Sequence, residues 1–399
     1  MSWPLVKLKD CCQVVGGATP KRNIPEYWDS ADVPWVTPKD VSKLSEPVLD
    51  DAPEYISDEG FRSCATSMLP KGSVLVTSRA PIGNIAITGK DMCTNQGFKS
   101  LIPGEKIDGL YLYYCMLAHS EKLQALGNGA TFKEVSKKIV EGFEIPLPPL
   151  SEQKRIATIL DKADAIRRKR QQAIQLADEF LRTVFLDMFG DPVTNSKGFE
   201  IKELSDFFID NKNGTKCGPF GSALKKQEYT ESGIPVWSMD NISLSGDFHD
   251  VPALWVSEEK FEELNSYSVL PGDVIISRAG TVGKMGVVRS HYEKSLISTN
   301  LIRVRFNERR LIPEYFVSLM TYCKGRVGRL KTGPDGAFTH MNTGILSSLT
   351  FPYPPIDLQK RFMEYRRKVI SILDSSLEYE HEGSFALQAI SRKAFSGTL

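Results

Sequence analysis

One decapeptide occurs twice in this chain and constrains its fold more than any other feature. Pro146-Leu147-Pro148-Pro149-Leu150-Ser151-Glu152-Gln153-Lys154-Arg155 returns as Pro352-Tyr353-Pro354-Pro355-Ile356-Asp357-Leu358-Gln359-Lys360-Arg361, an offset of 206 from position 146 to position 352. Each copy opens a helix-like run. In the first, from Ser151 to Gly190, apolar residues recur at Ile159, Ala163, Ile166, Ala173, Ala177, Phe180 and Val184. This alternating four-and-three spacing predicts a coiled-coil seam, interrupted only by Arg170. The same offset carries Tyr365, Val369, Ile372, Tyr379, Gly383, Ala386 and Ile390 onto the equivalent positions, and Phe395 onto Phe189. Ser151 reads as the N-cap and Gly190-Asp191-Pro192 as the stop. Such a helix is about 55–60 Å long, too long for burial in one small domain. Its repeat is the natural partner, running in the opposite direction. The cluster Arg167-Arg168-Lys169-Arg170 reads as a solvated cationic face.

The fold class that follows is α+β: two similar mixed α/β domains, at 1–150 and 191–356, separated by two long antiparallel coiled-coil helices, at 151–190 and 357–399, in a pseudo-twofold internal repeat. In the first domain Val33-Pro34-Trp35-Val36 and Gly72-Ser73-Val74-Leu75-Val76-Thr77 read as strands. Ile107 to Leu126, with Tyr111, Tyr114 and Leu117 on one side, reads as a helix. The second domain echoes these pieces in Ile234-Pro235-Val236-Trp237 and in Pro271-Gly272-Asp273-Val274-Ile275-Ile276-Ser277-Arg278-Ala279; Thr299-Asn300 echoes Thr94-Asn95. Gly214 to Ser222 has no close counterpart near Gly17 to Arg22. A shared frame with divergent loops suggests one task applied to two targets.

Composition narrows the classes. Lys and Arg number 50 against 49 Asp and Glu, so the net charge of +1 exerts no global pull toward a polyanion, and any such partner must be met by local clusters. The seven cysteines form no C-x-x-C pair, which argues for reduced core thiols rather than zinc or disulfides. The first residues lack an apolar signal region, and no apolar stretch is long enough to span a bilayer, so the expectation is a soluble, cytoplasmic protein. No phosphate loop exists, because Gly280-Thr281-Val282-Gly283-Lys284 is too short and ends in Met285. Both Pro-Pro pairs lack the Asn of an amino-methyltransferase tetrapeptide. Glu152-Gln153-Lys154 fits half of a nuclease site, but its repeat carries Leu358 in place of Glu152. The five histidines have no ligand spacing. Neither catalytic nor metal residues are expected, nor a cofactor bound by the chain itself.

The loops Gly16 to Arg22 and Ser78 to Gly83 place cations beside glycine or proline, which suits contact with phosphate; taken singly, each reads as an ordinary solvated turn. The proline-to-helix motif, the run Phe185-Leu186-Asp187-Met188-Phe189-Gly190-Asp191-Pro192 and its second ending Lys393-Ala394-Phe395-Ser396-Gly397 resemble the central and distal conserved regions of type I restriction-modification specificity subunits. Pro25-Glu26-Tyr27-Trp28 with Pro34 to Asp40, and Gly218 to Ser222 with Asn241-Ile242, resemble parts of that family's target recognition domains. The resemblance implies a non-catalytic subunit that reads a bipartite asymmetric sequence in double-stranded DNA, one half-site per domain. It implies two modification (methyltransferase) subunits and restriction/translocase subunits as partners. S-adenosylmethionine, ATP and Mg would be carried by those partners. The expected DNA-binding residues are Thr19, Lys21, Arg22, Lys39, Ser78, Arg79, Asn95, Gln96 and Thr131 in the first domain. In the second they are Lys216, Phe220, Ser222, Lys225, Asn241, Ser277, Arg278 and Asn300. Arg79 with Arg278, and Asn95 with Asn300, are read as recurring pairs, either scaffold or phosphate contacts on one side or base readers on the other. The rival readings are a self-sufficient enzyme with an unusual site, and a coiled-coil scaffold that joins partner proteins without sequence-specific DNA binding.

Overall fold

The computed structural model describes residues 3–79, 81–128, 133–220, 223–243, 246–278, 283–322, 341–377 and 383–399, with the backbone alone described at 374–377 and 383–388. The chain divides into two compact units, Met1–Ala173 with Ser375–Leu399, and Ile174–Asp374. The first unit holds strands β1 (Leu5–Lys7), β2 (Cys12–Gly16), β3 (Val33–Val36), β4 (Val48–Leu49), β5 (Glu54–Ile56), β6 (Val74–Val76), β7 (Ile85–Thr88), β8 (Cys93–Thr94), β9 (Lys99–Pro103) and β10 (Glu144–Pro146). They form sheets ordered β2-β9-β6-β7-β4, β5-β3-β8 and β1-β10.

The second unit holds β11 (Glu200–Glu203), β12 (Thr215–Cys217), β13 (Ile234–Trp237), β14 (Trp255–Val256), β15 (Val274–Ser277), β16 (Met285–Val287), β17 (Leu296–Ile297), β18 (Leu301–Val304) and β19 (Thr350–Tyr353). Their sheets, β12-β18-β15-β16, β14-β13-β17 and β11-β19, repeat those of the first unit strand for strand, with β4 as the addition. Even the mixed sheet is kept, since β3-β8 and β13-β17 are both parallel.

The middle strands are unbroken apolar runs because both of their faces are covered. Val74 and Val76 enter one core while Leu75 enters another, and Val274 and Ile276 part from Ile275 in the same way. Period-two alternation thus feeds two cores instead of one core and solvent. Against one of them packs the helix Gly109–Ala118, or Pro313–Tyr322 in the second unit. The expected Ile107 to Leu126 helix is two helices, Gly109–Ala118 and Ser120–Ala125. Tyr111 and Tyr114 are buried as the spacing requires, but Leu117 is exposed.

What the repeated decapeptide does is visible at its glutamine. Gln153 is buried, accepts from the Asp108 amide at 2.8 Å, and donates to the carbonyls of Lys106 at 3.0 Å and Pro148 at 2.8 Å. Gln359, also buried, accepts from the Ile312 amide at 3.0 Å and donates to Pro354 at 3.0 Å and Arg310 at 3.5 Å. In each unit one side chain ties the first turn of a long helix to the loop that precedes the core helix. A primary amide can do this because it offers both a donor group and an acceptor.

The first long helix runs Leu150–Phe189, so Ser151 lies inside it and the start is one residue earlier than expected. Its 40 residues make about 60 Å. It stops at Gly190, whose φ of 72° is the left-handed conformation that ends helices. Ile156, Ala157 and Leu160, near its start, share a core with Ile390, Ala394 and Phe395 at the chain's end. Leu181, Phe185 and Phe189, at its end, share one with Phe362, near the start of the helix Ile356–Leu377. Within the first unit the start of one run meets the end of the other, and within the second unit the end of the first meets the start of the second. Phe189 lies 4.9 Å from Tyr315, and Phe395 lies 5.7 Å from Tyr111. Each long run therefore starts on one repeat's glutamine clamp and ends on the other repeat's tyrosine.

The predicted seam is corrected. Ile166 and Phe180 are 54% and 52% exposed, and Tyr365 and Ile372 are exposed as well. The inward face is set by the globular cores and runs through Gln153, Ile156, Leu160 and Asp164, then Leu181, Phe185 and Phe189. Of the second-copy positions, Val369 and Ile390 are partly buried in those cores; Tyr379 and the side chains of Gly383 and Ala386 lie outside the described residues. The cationic run is also more than a solvated face. Arg168 is largely buried, pairs with Asp164, and meets Glu46 of the first unit at 3.0 Å.

Candidate nucleic-acid interface

Three loops converge at one end of the main sheet's strands in each unit. In the first they are the exit from β2 at Gly17–Arg22, the turn after β6 at Thr77–Arg79, and the turn from β8 to β9 at Asn95–Gly97. Backbone bonds lock them together: the Ala18 amide donates to Thr94 at 3.0 Å, and the Ser78 amide to Gly97 at 2.7 Å. In the second unit the Gly218 amide donates to Leu301 at 2.8 Å and the Arg278 amide to Asn300 at 2.9 Å.

The strand register shows which positions are equivalent, and it corrects three sequence readings. Gly16 faces Lys99 as Cys217 faces Ile302, so Gly17 coincides with Gly218. The loop beginning at Gly214 therefore does have its counterpart. At both glycines an added methyl would lie well inside contact distance of backbone, on Thr94 and Asn95 in one unit and on Ser298 in the other. Only glycine permits so close an approach. The hairpins superpose at a constant offset, with Gly72 on Gly272 and Gly83 on Gly283, all four at positive φ. Thr77 then matches Ser277, and Ser78 matches Arg278. Arg79 and Arg278 are thus one position apart in the frame. Likewise Val36 pairs with Thr94 where Trp237 pairs with Ile297, which puts Asn300 on Gly97 rather than on Asn95. Loops of unequal length slide like residues past one another, so the apparent recurrence is one of composition.

In the first unit the exposed face carries paired charges. Arg22 lies 3.7 Å over the Trp28 ring and 4.9 Å from that of Trp35, and its guanidinium grips Glu54, one arm at 2.9 Å. Hydrogen bonding to Glu54 raises its pKa further. Arg79 pairs with Glu134 at 3.0 Å, and Lys99 approaches the same carboxylate at 3.6 Å. Thr19 donates to Gln96, while Asn95 accepts from the Gly97 amide at 2.8 Å. Lys21 is exposed beside them, and Lys39 stands exposed on the short helix Pro38–Val41 after β3.

In the second unit Phe220 is 57% exposed, and the Arg278 guanidinium lies 4.3 Å over its ring. Lys216, half-buried on β12, holds its ammonium 4.9 Å over Tyr267. Lys225 and Asn300 are exposed.

Three candidates serve the frame instead. Ser78 is buried and donates to Gly97 at 3.1 Å, and Ser277 is fully buried. Asn241 is buried, with its amide spent on the carbonyls of His249 and Val251 at 3.0 Å each. None of the three side chains reaches the surface. Thr131 and Ser222 lie outside the described residues. Glu54, Glu134 and Lys99 went unforeseen, because their arginine partners or shared carboxylate lie 32 to 55 positions away with no motif between. Gly218→Ala should part the β12 exit loop from Ser298, destabilise the second unit by about 1–3 kcal/mol and lower ligand binding there. Denaturant unfolding of the full chain checks this.

Among the described residues no group of three His, Cys, Asp or Glu is placed to hold a metal, and no helix is long and apolar enough to cross a membrane. Residues 2–176 match the family described as type I restriction modification DNA specificity domain. The chain is 35% identical over 221 residues to the type I restriction enzyme MjaIX specificity subunit of Methanocaldococcus jannaschii, covering 51% of each. It is 23% identical over 379 residues to the MjaVIII specificity subunit of the same organism, covering 88% of each. The EcoR124I/EcoR124II specificity subunit of Escherichia coli is 30% identical over 157 residues, 38% of each. The chain thus spans about half, or less, of two of these relatives and most of the third. The crystal structure of a type I restriction-modification S subunit from M. genitalium shares the fold, with a TM-score of 0.61 at 15% identity over 99% of this chain and 96% of that one.

Proposed function

We propose that this chain, which belongs to the type I restriction-modification specificity family, is the DNA-recognition subunit of such a system. Each unit binds one half of a bipartite asymmetric target in double-stranded DNA, and the pair directs adenine methylation or restriction by other subunits. The chain itself is non-catalytic. Two modification subunits supply S-adenosylmethionine chemistry, and restriction/translocase subunits use ATP and Mg; the complex works in the cytoplasm. The exposed apolar residues Ile166, Ile174, Leu176 and Phe180 on the long helix offer those partners a surface.

One observation carries this reading: two frames agree in register while the side chains on their converging loops differ. Arg22 with Glu54 and two tryptophans stands on one, and Arg278 with Phe220 on the other. A reader of two unlike half-sites needs this combination, with the fixed backbone aiming side chains at base edges in the major groove. Of the seventeen candidate contacts, those whose side chains reach the surface are the proposed contacts: Thr19, Lys21, Arg22, Lys39, Arg79, Asn95, Gln96, Lys216, Phe220, Lys225, Arg278 and Asn300.

The test is to incubate sheared genomic DNA with the purified complex of this chain and its modification subunits, then sequence the retained fragments. A split motif of two short parts around a fixed gap is expected. Assembly without any enriched sequence would favour the scaffold reading.

A further inference from the structure

The three surface arginines of the proposed interface are not held alike. Arg22 is engaged by Glu54 and Arg79 by Glu134. Arg278 has no carboxylate partner among the described residues; its guanidinium rests 4.3 Å over the Phe220 ring. Its main chain is fixed, because its amide donates to Asn300 at 2.9 Å and the preceding residue, Ser277, closes the hairpin onto Lys284 at 2.8 Å. Phe220 is fixed in turn, two residues beyond Gly218, which lies in close contact with Ser298. The ring is 57% exposed and stands directly under the guanidinium.

A guanidinium held over a ring by cation–π attraction spends no N–H group on a hydrogen-bond acceptor there. An arginine gripped by a carboxylate has part of its donor fork and its charge already engaged; one held on a ring keeps the whole fork for another acceptor. Two parallel donors are what O6 and N7 of guanine accept in the major groove. We propose that Arg278 reads a guanine in the half-site met by the second unit, and that Phe220 is the positioning residue that presents it. This rests on the DNA-recognition reading above and names the base class at one position of it.

The experiment uses the complex with its modification subunits and a randomised DNA library, mapping methylated sequences for the native chain and for Arg278→Ala, Arg278→Lys, Phe220→Ala and Phe220→Tyr. The native motif should contain one G·C pair that Arg278→Ala relaxes, with discrimination there falling about tenfold to a hundredfold. The other half-site should be unchanged. Lysine should not restore the preference, because its single point charge lacks the fork. Phe220→Ala should weaken the same position, and Phe220→Tyr should keep it. Uniformly lower methylation with an unaltered motif, restored by lysine, would make Arg278 a phosphate contact and overturn the proposal. A second half-site without G·C, or a motif indifferent to Phe220, overturns it too. Failure of the native complex to select any split motif would instead count against the function on which the proposal rests.

Discussion

Replacing Asp273 with alanine should destabilise the second unit by about 3 kcal/mol. The carboxylate is almost fully buried, accepts from Nε and one terminal nitrogen of Arg305 at 2.7 Å each, and also caps the Leu270 amide at 2.8 Å. Arg305 keeps 19% of its side chain in solvent, which places the loss at the lower end for a broken buried pair. A second guanidinium makes the site more sensitive. Arg303 is buried, donates to the carbonyls of Ser268 at 2.8 Å and Asn213 at 2.9 Å, and has an Nε without a partner. Burial lowers its pKa and Arg305 lowers it further, while Asp273 acts in the opposite sense. Without Asp273, two like charges face each other with exposed Asp210 as the remaining counter-charge acting on both. Arg303→Met should cost less, because it removes a desolvated charge along with its bonds. Hydrogen exchange of the β15 and β18 amides in the full chain reads the difference; equal losses for the two variants would contradict this account.

Gln153→Leu should cost a similar amount, about 3 kcal/mol, because it strands one amide and two carbonyls that the side chain now satisfies. Gln153→Glu is the sharper control. It keeps an acceptor for the Asp108 amide but turns negative oxygen toward the carbonyls of Lys106 and Pro148, so it should be at least as damaging. A role in surface chemistry would predict the opposite ranking. Exchange of the Asp108 to Tyr111 amides and the denaturation midpoint both report it.

The duplicated decapeptide made the architecture legible, because a motif that starts a long helix twice demands two bodies. Gly190 fixed the helix end for the same local reason. The buried face of that helix was not legible. A heptad count assumes that the partner is another helix, whereas Ile156, Leu160, Phe185 and Phe189 face globular cores. The clamping glutamine is present in both copies, yet its meaning lies in Asp108 and Ile312, 45 and 47 positions away. At the proposed interface the candidate loops lie together in each unit, but not all of the candidate side chains reach the surface. Ser78 and Ser277 occupy loop-like sequence but turn inward, a choice made by the adjoining turn. Arg79 and Arg278 look alike in sequence, and only strand register shows them to be one position apart.

The central claim is that two units on one frame select two unlike half-sites, and the most direct measurement is a genome-wide map of N6-methyladenine. Cells with this gene and its modification partner are compared with cells lacking this gene alone. Methylation at one split, asymmetric motif is expected to disappear with the gene. Unchanged methylation, with the partner demonstrably active, would contradict it.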